Sequence, residues 1–316
     1  MIGRRHPVAK LIAGGVALAG FLAAQEPAAT PGAAAIGEAR AAAPAAAMRW
    51  TDPDGKPLPF RSEAELLEFM RTADVKSEKH LSGGITFPTK LLLEKDGIRV
   101  NAVFRDVNEE KSTPTFGGGR GELNFRDFYG FEPPAYELSR LLGLDNVPPA
   151  TLRKLHYKNG SVQVWVEHAM SDLKRIQDRI KPPDEQRWSK QLQMMNVFDA
   201  LVYNTDRNRG NLLITPDWKL WLIDHTRAFR RNPSLQNADA LTQCDRGMYQ
   251  KLKALDEAMV RERLNPYLSS FEMDGLLTRR KLIVERLDKL IAELGEEKVL
   301  YTYTAETAPA PPANQN

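Results

Sequence analysis

The sequence predicts an α+β protein of two lobes, strand-rich in its first half and helical in its second. Three observations carry that reading. The β-prone runs "ITFPTKLLLE" and "IRVNAVFRDV" flank Lys95-Asp96-Gly97, and Asp-Gly between such runs signals a hairpin. Asn159-Gly160 turns the chain into a second β-prone run, "SVQVWVEHAM". From Ser171 onward apolar residues recur at helical spacing, interrupted by one compact hairpin pattern, "NLLI", Pro216-Asp217, "LWLID".

Taken in order, the chain opens with Arg4, Arg5 and Lys10 ahead of "LIAGGVALAGFLAA", with small residues at Ala23 and Ala24. A charged start, an apolar run and a small-residue site have the form of an export signal. The run is short of the roughly 20 residues a membrane span needs. Residues 1–24 are therefore expected to be a signal peptide, the alternative being an uncleaved N-terminal anchor that tethers the chain to a membrane. Either way the protein is expected to be exported, periplasmic or extracellular. Residues 25–48 form an Ala/Pro-rich linker, 49–303 the folded unit, and 304–316 a disordered tail.

Within the folded unit, Ser62-Glu63-Ala64-Glu65 has the capping-box form and leads into "AELLEFMRTA", a helix. Residues 110–125, with "FGGGRGELNF", read as a loop. "PPAYELSRLLGL" reads as a helix with proline in its first turn and Gly143 near its end. "SDLKRIQDRI" and "EQRWSKQLQMMNVFDALVYN" are helical; in the second, Leu192, Met195, Val197, Phe198, Leu201 and Val202 make a broad apolar face. The methionine pair Met194-Met195 serves as core filling there. "QKLKALDEAMVRERL" and "RRKLIVERLDKLIAEL" close the unit as amphipathic helices.

Composition excludes several functions. The net charge of +3 is partly N-terminal, which leaves the folded unit near neutral and without a footprint for nucleic acid. Cys244 is the single cysteine, so no intrachain disulfide forms, and no close set of four Cys/His ligands exists for structural zinc. Neither Cys244 nor any serine lies in a recognisable nucleophile setting.

The stretch that carries chemistry is "NVFDALVYNTDRNRGNLLITPDWKLWLIDHTRAF". It sets Asp206, Asn211 and Asp224 at the edges of two short apolar strands. Taken singly, each is ordinary turn chemistry. Taken together, Asn211 and Asp224 are oxygen ligands suited to Mg²⁺ or Mn²⁺ bridging nucleotide phosphates. Asp206, at the end of a buried helix, is placed to orient or deprotonate an attacking hydroxyl.

This order, a helix, then Asp-x-x-x-x-Asn, then a hairpin ending in apolar-Asp, resembles the active site of the protein-kinase-like fold. The resemblance is to its atypical branches: secretory-pathway kinases of the four-jointed type, HipA-like kinases and, more distantly, phosphatidylinositol kinases. Asn204-Thr205-Asp206-Arg207 with Asn211 resembles their "G/N-x-D-R-x-x-x-N" loop, and Asp224-His225 stands where ordinary kinases have the metal-binding Asp of DFG. "NAVFRDV" resembles their "AVFK" strand, and "FEPPAYELSRLLGLDNVPP" their "E-x-A-A-F-x-L-D-R-x-L-G-x-x-x-V-P-P". The likeness spans residues 82–300.

The resemblance implies an N-lobe of about 49–166, a C-lobe of about 167–303, and transfer of the γ-phosphate of ATP, or of another nucleotide, to a hydroxyl of a protein, sugar or lipid. It makes Asp206 catalytic and Asn211 and Asp224 metal ligands. Arg105 falls where the family has its strand lysine, and the two are not interchangeable in a fitted site. Either its fork holds phosphates or the chain is an inactive pseudokinase acting as a scaffold. Lys90 on the neighbouring strand is a substitute cation, and Glu132 is the helix glutamate, with Glu137 one turn away as the competing alignment. Glu167 falls at the lobe crossing, where backbone meets adenine. His225 is expected to support Asp224 from behind. Gly117–Gly121 follows the Arg105 strand rather than preceding it, so it reads as a loop rather than a phosphate cradle, and Ser82-Gly83-Gly84 stands nearer the expected place for one.

Overall fold

The computed structural model describes residues 50–81, 88–111 and 125–304, all within the compact unit Ala45–Asn316. The expected signal or anchor, the linker, Ser82–Gly84, Gly117–Gly121 and the tail beyond 304 lie outside the described residues.

The first lobe begins with α1 (Glu63–Thr72). The Ser62 hydroxyl accepts from the Glu65 amide, while the Glu65 carboxylate reaches the Arg61 amide at 2.8 Å, one residue beyond the reciprocal partner of a capping box. Then β1 (Asp74–His80), β2 (Thr89–Lys95) and β3 (Ile98–Arg105) run as an antiparallel meander. Asp96 and Gly97 take positive φ at the β2–β3 turn, as a two-residue turn requires. A separate ribbon pairs β4 (Asn108–Lys111) with β5 (Phe125–Phe128), so the ends of the segment read as loop are strands. After it come α2 (Glu132–Leu141), β6 (Ala150–Leu155) and β7 (Lys158–Val164), giving a five-stranded sheet ordered β1-β2-β3-β7-β6.

The β6–β7 turn lies at His156-Tyr157, both at positive φ, not at the predicted Asn159-Gly160. Gly160 sits inside β7 for a different reason. A Cβ there would come within 2.3 Å of the Phe104 ring and 2.5 Å of the Arg105 carbonyl, so glycine is what lets β3 pass.

Strand alternation sorts the sheet into two faces. Leu91, Leu93, Val100, Phe104 and Val162 bury against Trp50 and the α1 residues Leu66, Phe69 and Met70. Lys90, Val103, Arg105 and Gln163 occupy the other face, and Arg105 there meets the second lobe.

The second lobe contains β8 (Met170–Ser171), α3 (Asp172–Gln177), α4 (Glu185–Val202), β9 (Leu212–Ile214), β10 (Leu220–Leu222), β11 (Cys244–Asp245), α5 (Arg246–Ala254), α6 (Glu257–Leu264), α7 (Ser270–Leu294), α8 (Glu296–Val299) and β12 (Leu300–Tyr301). The stretch read as one helix through residue 264 is two, because Asp256 caps α6 with its side chain. Met194 is buried and Met195 packs against the same core, as filling. That core also takes Phe131, Leu138 and Leu142, so α2 is packed into the second lobe although its sequence belongs to the first.

The β9–β10 hairpin joins the lobes. Leu212, Ile214, Leu220 and Leu222 enter the second-lobe core, while Trp221 turns the other way and stacks at 4.8 Å on Trp50. Buried on both sides, the hairpin is a fixed strut, and Asn211 and Asp224 sit just beyond its two ends. No helix among the described residues is long and apolar enough to cross a membrane.

Candidate active site

The loop after α4 is held by its own side chains. Tyr203 closes the helix in the left-handed region at φ 52, and the Asp206 amide donates to Asn204 Oδ1 at 3.0 Å. Asn211 Nδ2 donates to the Asp206 carbonyl at 3.1 Å, which leaves Asn211 Oδ1 without a hydrogen-bond donor among the described residues. The Ile223 amide donates to the Asn211 carbonyl at 3.2 Å, fastening the far end of the hairpin to the near one.

Arg207 locks this arrangement. Its guanidinium pairs with both oxygens of Asp199 at 2.8 and 3.0 Å and donates to the carbonyls of Asn211 at 2.9 Å and Ile223 at 2.7 Å. A fifth contact runs to Nε2 of the buried His225 at 3.0 Å. His225 thus presents a polar ring to a polar partner.

Asp224 adopts φ 60, a conformation costly for a residue with a Cβ and one that collects at functional sites. The Thr226 hydroxyl donates to its Oδ1 at 3.0 Å. Arg105 Nε stands 3.9 Å from the same oxygen and 3.6 Å from Glu132 Oε1, so Arg105, Glu132 and Asp224 face one another across one cleft. Arg105 Nη1 also donates to Gln163 Oε1 at 3.4 Å. Glu132 is fully buried. Burial works to raise its carboxyl, but Arg105 first, and then the hydrogen bonding of His225, hold it below its ordinary value. Glu137, the competing alignment, instead pairs with Arg263 of α6 at 3.0 Å.

Two further predicted positions stand apart from the acids. The Lys90 ammonium lies 4.2 Å over the Trp165 ring. Glu167 Oε1 accepts from Asn101 at 2.7 Å, which ties the lobe crossing to β3. The chain leaves the sheet after Val164 and turns at Glu167-His168 before β8.

The sequence reading missed one member. Asp127 of β5 lies with Thr226 and Asp224. Burial pushes its carboxyl up, the nearby Thr226 opposes this, and the charge of Asp224 raises it further. Its Oδ1 is buried without a hydrogen-bond partner. Asp206 is raised too, by burial first, opposed by Arg227 at 3.4 Å and reinforced by Asp224. The signal for Asp127 was the alternation in Phe125-Arg126-Asp127-Phe128, which sets an acid in step with a buried Phe125.

Asp127 and Asp206, both raised beside the charge of Asp224, a buried Asp127 oxygen lacking a donor and a spare Asn211 amide oxygen are oxygen ligands of the kind a hard divalent cation takes. No group of three His, Cys, Asp or Glu among the described residues makes a ready-built cation cage, so remaining ligands would come from phosphate and water, the usual situation for Mg²⁺. Beside this set, next to Thr205, opens a separate cavity of about 450 Å³, walled by Arg126, Arg230 and Arg231 over Phe131, Tyr203 and Phe229.

No family model matches the sequence, and a search of the curated proteins finds no match. Solved structures do match. A hydra Fam20 determined with a sugar superposes with a TM-score of 0.57 at 17% identity, over 76% of this chain and 92% of that one. The Golgi casein kinase superposes with a TM-score of 0.56 at 16% identity, over 75% and 78%, both alone and with Mn/ADP bound. The fold is that of an atypical kinase. Its strand-rich and helical lobes are the two lobes of that fold, in the predicted order.

Proposed function

We propose that the chain is an exported phosphotransferase that moves the γ-phosphate of ATP to a hydroxyl acceptor with the help of Mg²⁺ or Mn²⁺. The observation that carries the reading is the meeting of Asp224 with the Arg105–Glu132 pair in the cleft that also holds Asp206 and Asn211. Asp224, the Asn211 amide oxygen and Asp127 would hold the cation, which neutralises phosphate charge during transfer. Arg105 would contact the phosphates, with Glu132 and Gln163 fixing its orientation. Val166 and Glu167 would offer peptide groups to the base. Asp206 orients the acceptor hydroxyl and takes its proton, a role its raised carboxyl favours. The acceptor body would lie in the cavity beside Thr205. The Golgi casein kinase with Mn/ADP lends support on the cofactor, and the charged, then apolar N-terminus on export.

The test is phosphate transfer and nucleotide-dependent melting of the full chain. ATP with Mn²⁺ should raise the melting temperature through linkage. Asp206→Ala should keep that rise and lower transfer by about 10²- to 10⁴-fold. Equal transfer by both proteins removes Asp206 from the chemistry. The second reading, a scaffold without activity, rests on Arg105 standing for lysine; no thermal shift at millimolar nucleotide would establish it over the first.

A further inference from the structure

Two buried nitrogens with no hydrogen-bond partner, Arg105 Nε and His225 Nδ1, face the same carboxylate. Arg105 Nε is 3.6 Å from Glu132 Oε1, and His225 Nδ1 is 3.6 Å from Glu132 Oε2. One nitrogen belongs to the first-lobe sheet and the other to the second lobe, and Glu132 lies between them on α2. A buried N–H without an acceptor is costly, so a pair of them aimed at one anion calls for an explanation.

The imidazole's protonation follows from its other side. Arg207 can only donate, so Nε2 must accept, which leaves Nδ1 to carry the ring proton. Arg207 cannot turn away, being held by Asp199 and two carbonyls, and Phe198 abuts the imidazole edge-on at 5.8 Å. The donor is thus fixed from behind and pointed at Glu132. Any residue but proline at position 225 would supply the peptide N–H that reaches Glu132 Oε1 at 3.1 Å; only the side chain supplies the second donor.

We propose that His225 is a positioning residue that, together with Arg105, latches the Glu132 carboxylate between the lobes. Closing the two lobes on Glu132 by well under an ångström at each contact brings both donors to hydrogen-bond distance. With the latch closed, Glu132 sets the Arg105 fork at the angle the phosphates need; with it open, the pair is only loosely matched. His225 acts through Glu132 and touches neither nucleotide nor acceptor. The role rests on the phosphotransferase reading, whereas the imidazole geometry does not.

The experiment therefore has two arms on the full chain. Long-range ¹H–¹⁵N spectra of the imidazoles, assigned with His225→Asn, should show His225 as the neutral Nδ1–H form at pH 7, its proton moving downfield when Mg²⁺ and a non-hydrolysable ATP analogue are added. An Nε2–H form, a charged ring, or an unmoved proton in protein whose melting temperature shows the analogue bound overturns the latch. If the analogue does not bind at all, the phosphotransferase reading fails by itself, and the tautomer of the free protein still decides the geometry. In the kinetic arm, His225→Phe keeps the volume and loses both polar atoms. It should lower kcat by about 10- to 100-fold, the range for a hydrogen bond to a charged group, with KM for ATP within about threefold. His225→Asn keeps a donor near Nδ1 and should recover most of that loss, whereas His225→Gln, whose polar end falls near Nε2, should not. Equal loss in all three variants, or a fall in melting temperature that accounts for the activity, would make the imidazole structural only.

Discussion

Two buried polar knots meet at His225, and they are built to different tolerances. Around Arg207 the five contacts run from 2.7 to 3.0 Å. Around Glu132 they run from 3.1 Å for the His225 amide, through 3.3 Å for Gln163, to 3.6 Å for both Arg105 and His225 Nδ1. The origin of the partners explains the contrast. Those of Arg207 all come from residues 199–225, one helix end and one hairpin of a single lobe. Those of Glu132 come from β3, β7 and the segment after β10, on two lobes. A knot tied within one segment is fixed once that segment folds; a knot tied across lobes moves as they do. In the proposed reaction the tight knot fixes the catalytic loop, and the loose one adjusts to nucleotide.

Breaking the tight knot should have the largest effect. Arg207→Ala leaves the Asp199 carboxylate, about nine-tenths buried, without its cation and frees two carbonyls. Removing one partner of a buried pair costs about 3–5 kcal/mol. At about 2–4 °C per kcal/mol for a domain of this size, differential scanning calorimetry should register a fall of roughly 6–20 °C. A fall of only a degree or two would mean that the knot carries little of the stability.

The loose knot should yield less stability and more function. Glu132→Gln keeps the volume and one acceptor, and its fold cost should be about 1–2 kcal/mol, the scale of weakened hydrogen bonds to a charge. ATP turnover should nevertheless fall at least as far as in His225→Phe, because Arg105 loses its anion. If calorimetry shows Glu132→Gln as damaging as Arg207→Ala, the two knots are equal and the contrast drawn from their distances is wrong.

This division also marks how much was legible in the sequence. Much that lies within one segment was readable: the Asp206-Asn211-Asp224 spacing, the hairpin between them and the order of lobes. What depends on distant partners was not. The strand β1, "DVKSEKH", is almost all exposed and polar, and it exists because its backbone pairs with β2. Gly160 looked like a turn because its reason, the Phe104 ring, lies 56 positions away. Asp127 was passed over because its partners, Thr226 and Asp224, follow about a hundred residues later. For the same reason the sequence named Glu132 and His225 without showing that they meet.

The acids outside both knots should answer to pH with the opposite sign from Glu132. Glu132 is held below its unfolded value of 4.5, so its contribution is present above that value and is lost as pH falls through the folded one. Asp127 is held above 3.8, so the folded state binds its proton more tightly, and the stability it contributes falls as pH rises through the raised value. At pH 7 its charge therefore opposes folding. Asp127→Asn should melt higher than the wild-type chain at pH 7, and the difference should vanish as pH drops below 3.8. Mg²⁺ with ATP should stabilise the wild-type chain more than the variant. A variant that melts lower at pH 7 would show that the carboxylate is already paired and that no cation is wanted there.

The smallest effect should come from Lys90, the cation that lies in neither knot. Its ammonium rests over Trp165 at 4.2 Å, a contact worth about 0.5–1 kcal/mol at an accessible site. Lys90→Ala should therefore move the melting temperature by only about 1–4 °C. KM for ATP should stay within about threefold, because Arg105 is the cation that stands beside Glu132 and Asp224. A tenfold rise in KM with kcat unchanged would place Lys90 on the phosphates. Arg105 would then be a structural cation, and the long distances around Glu132 would reflect a pair that never needs to close.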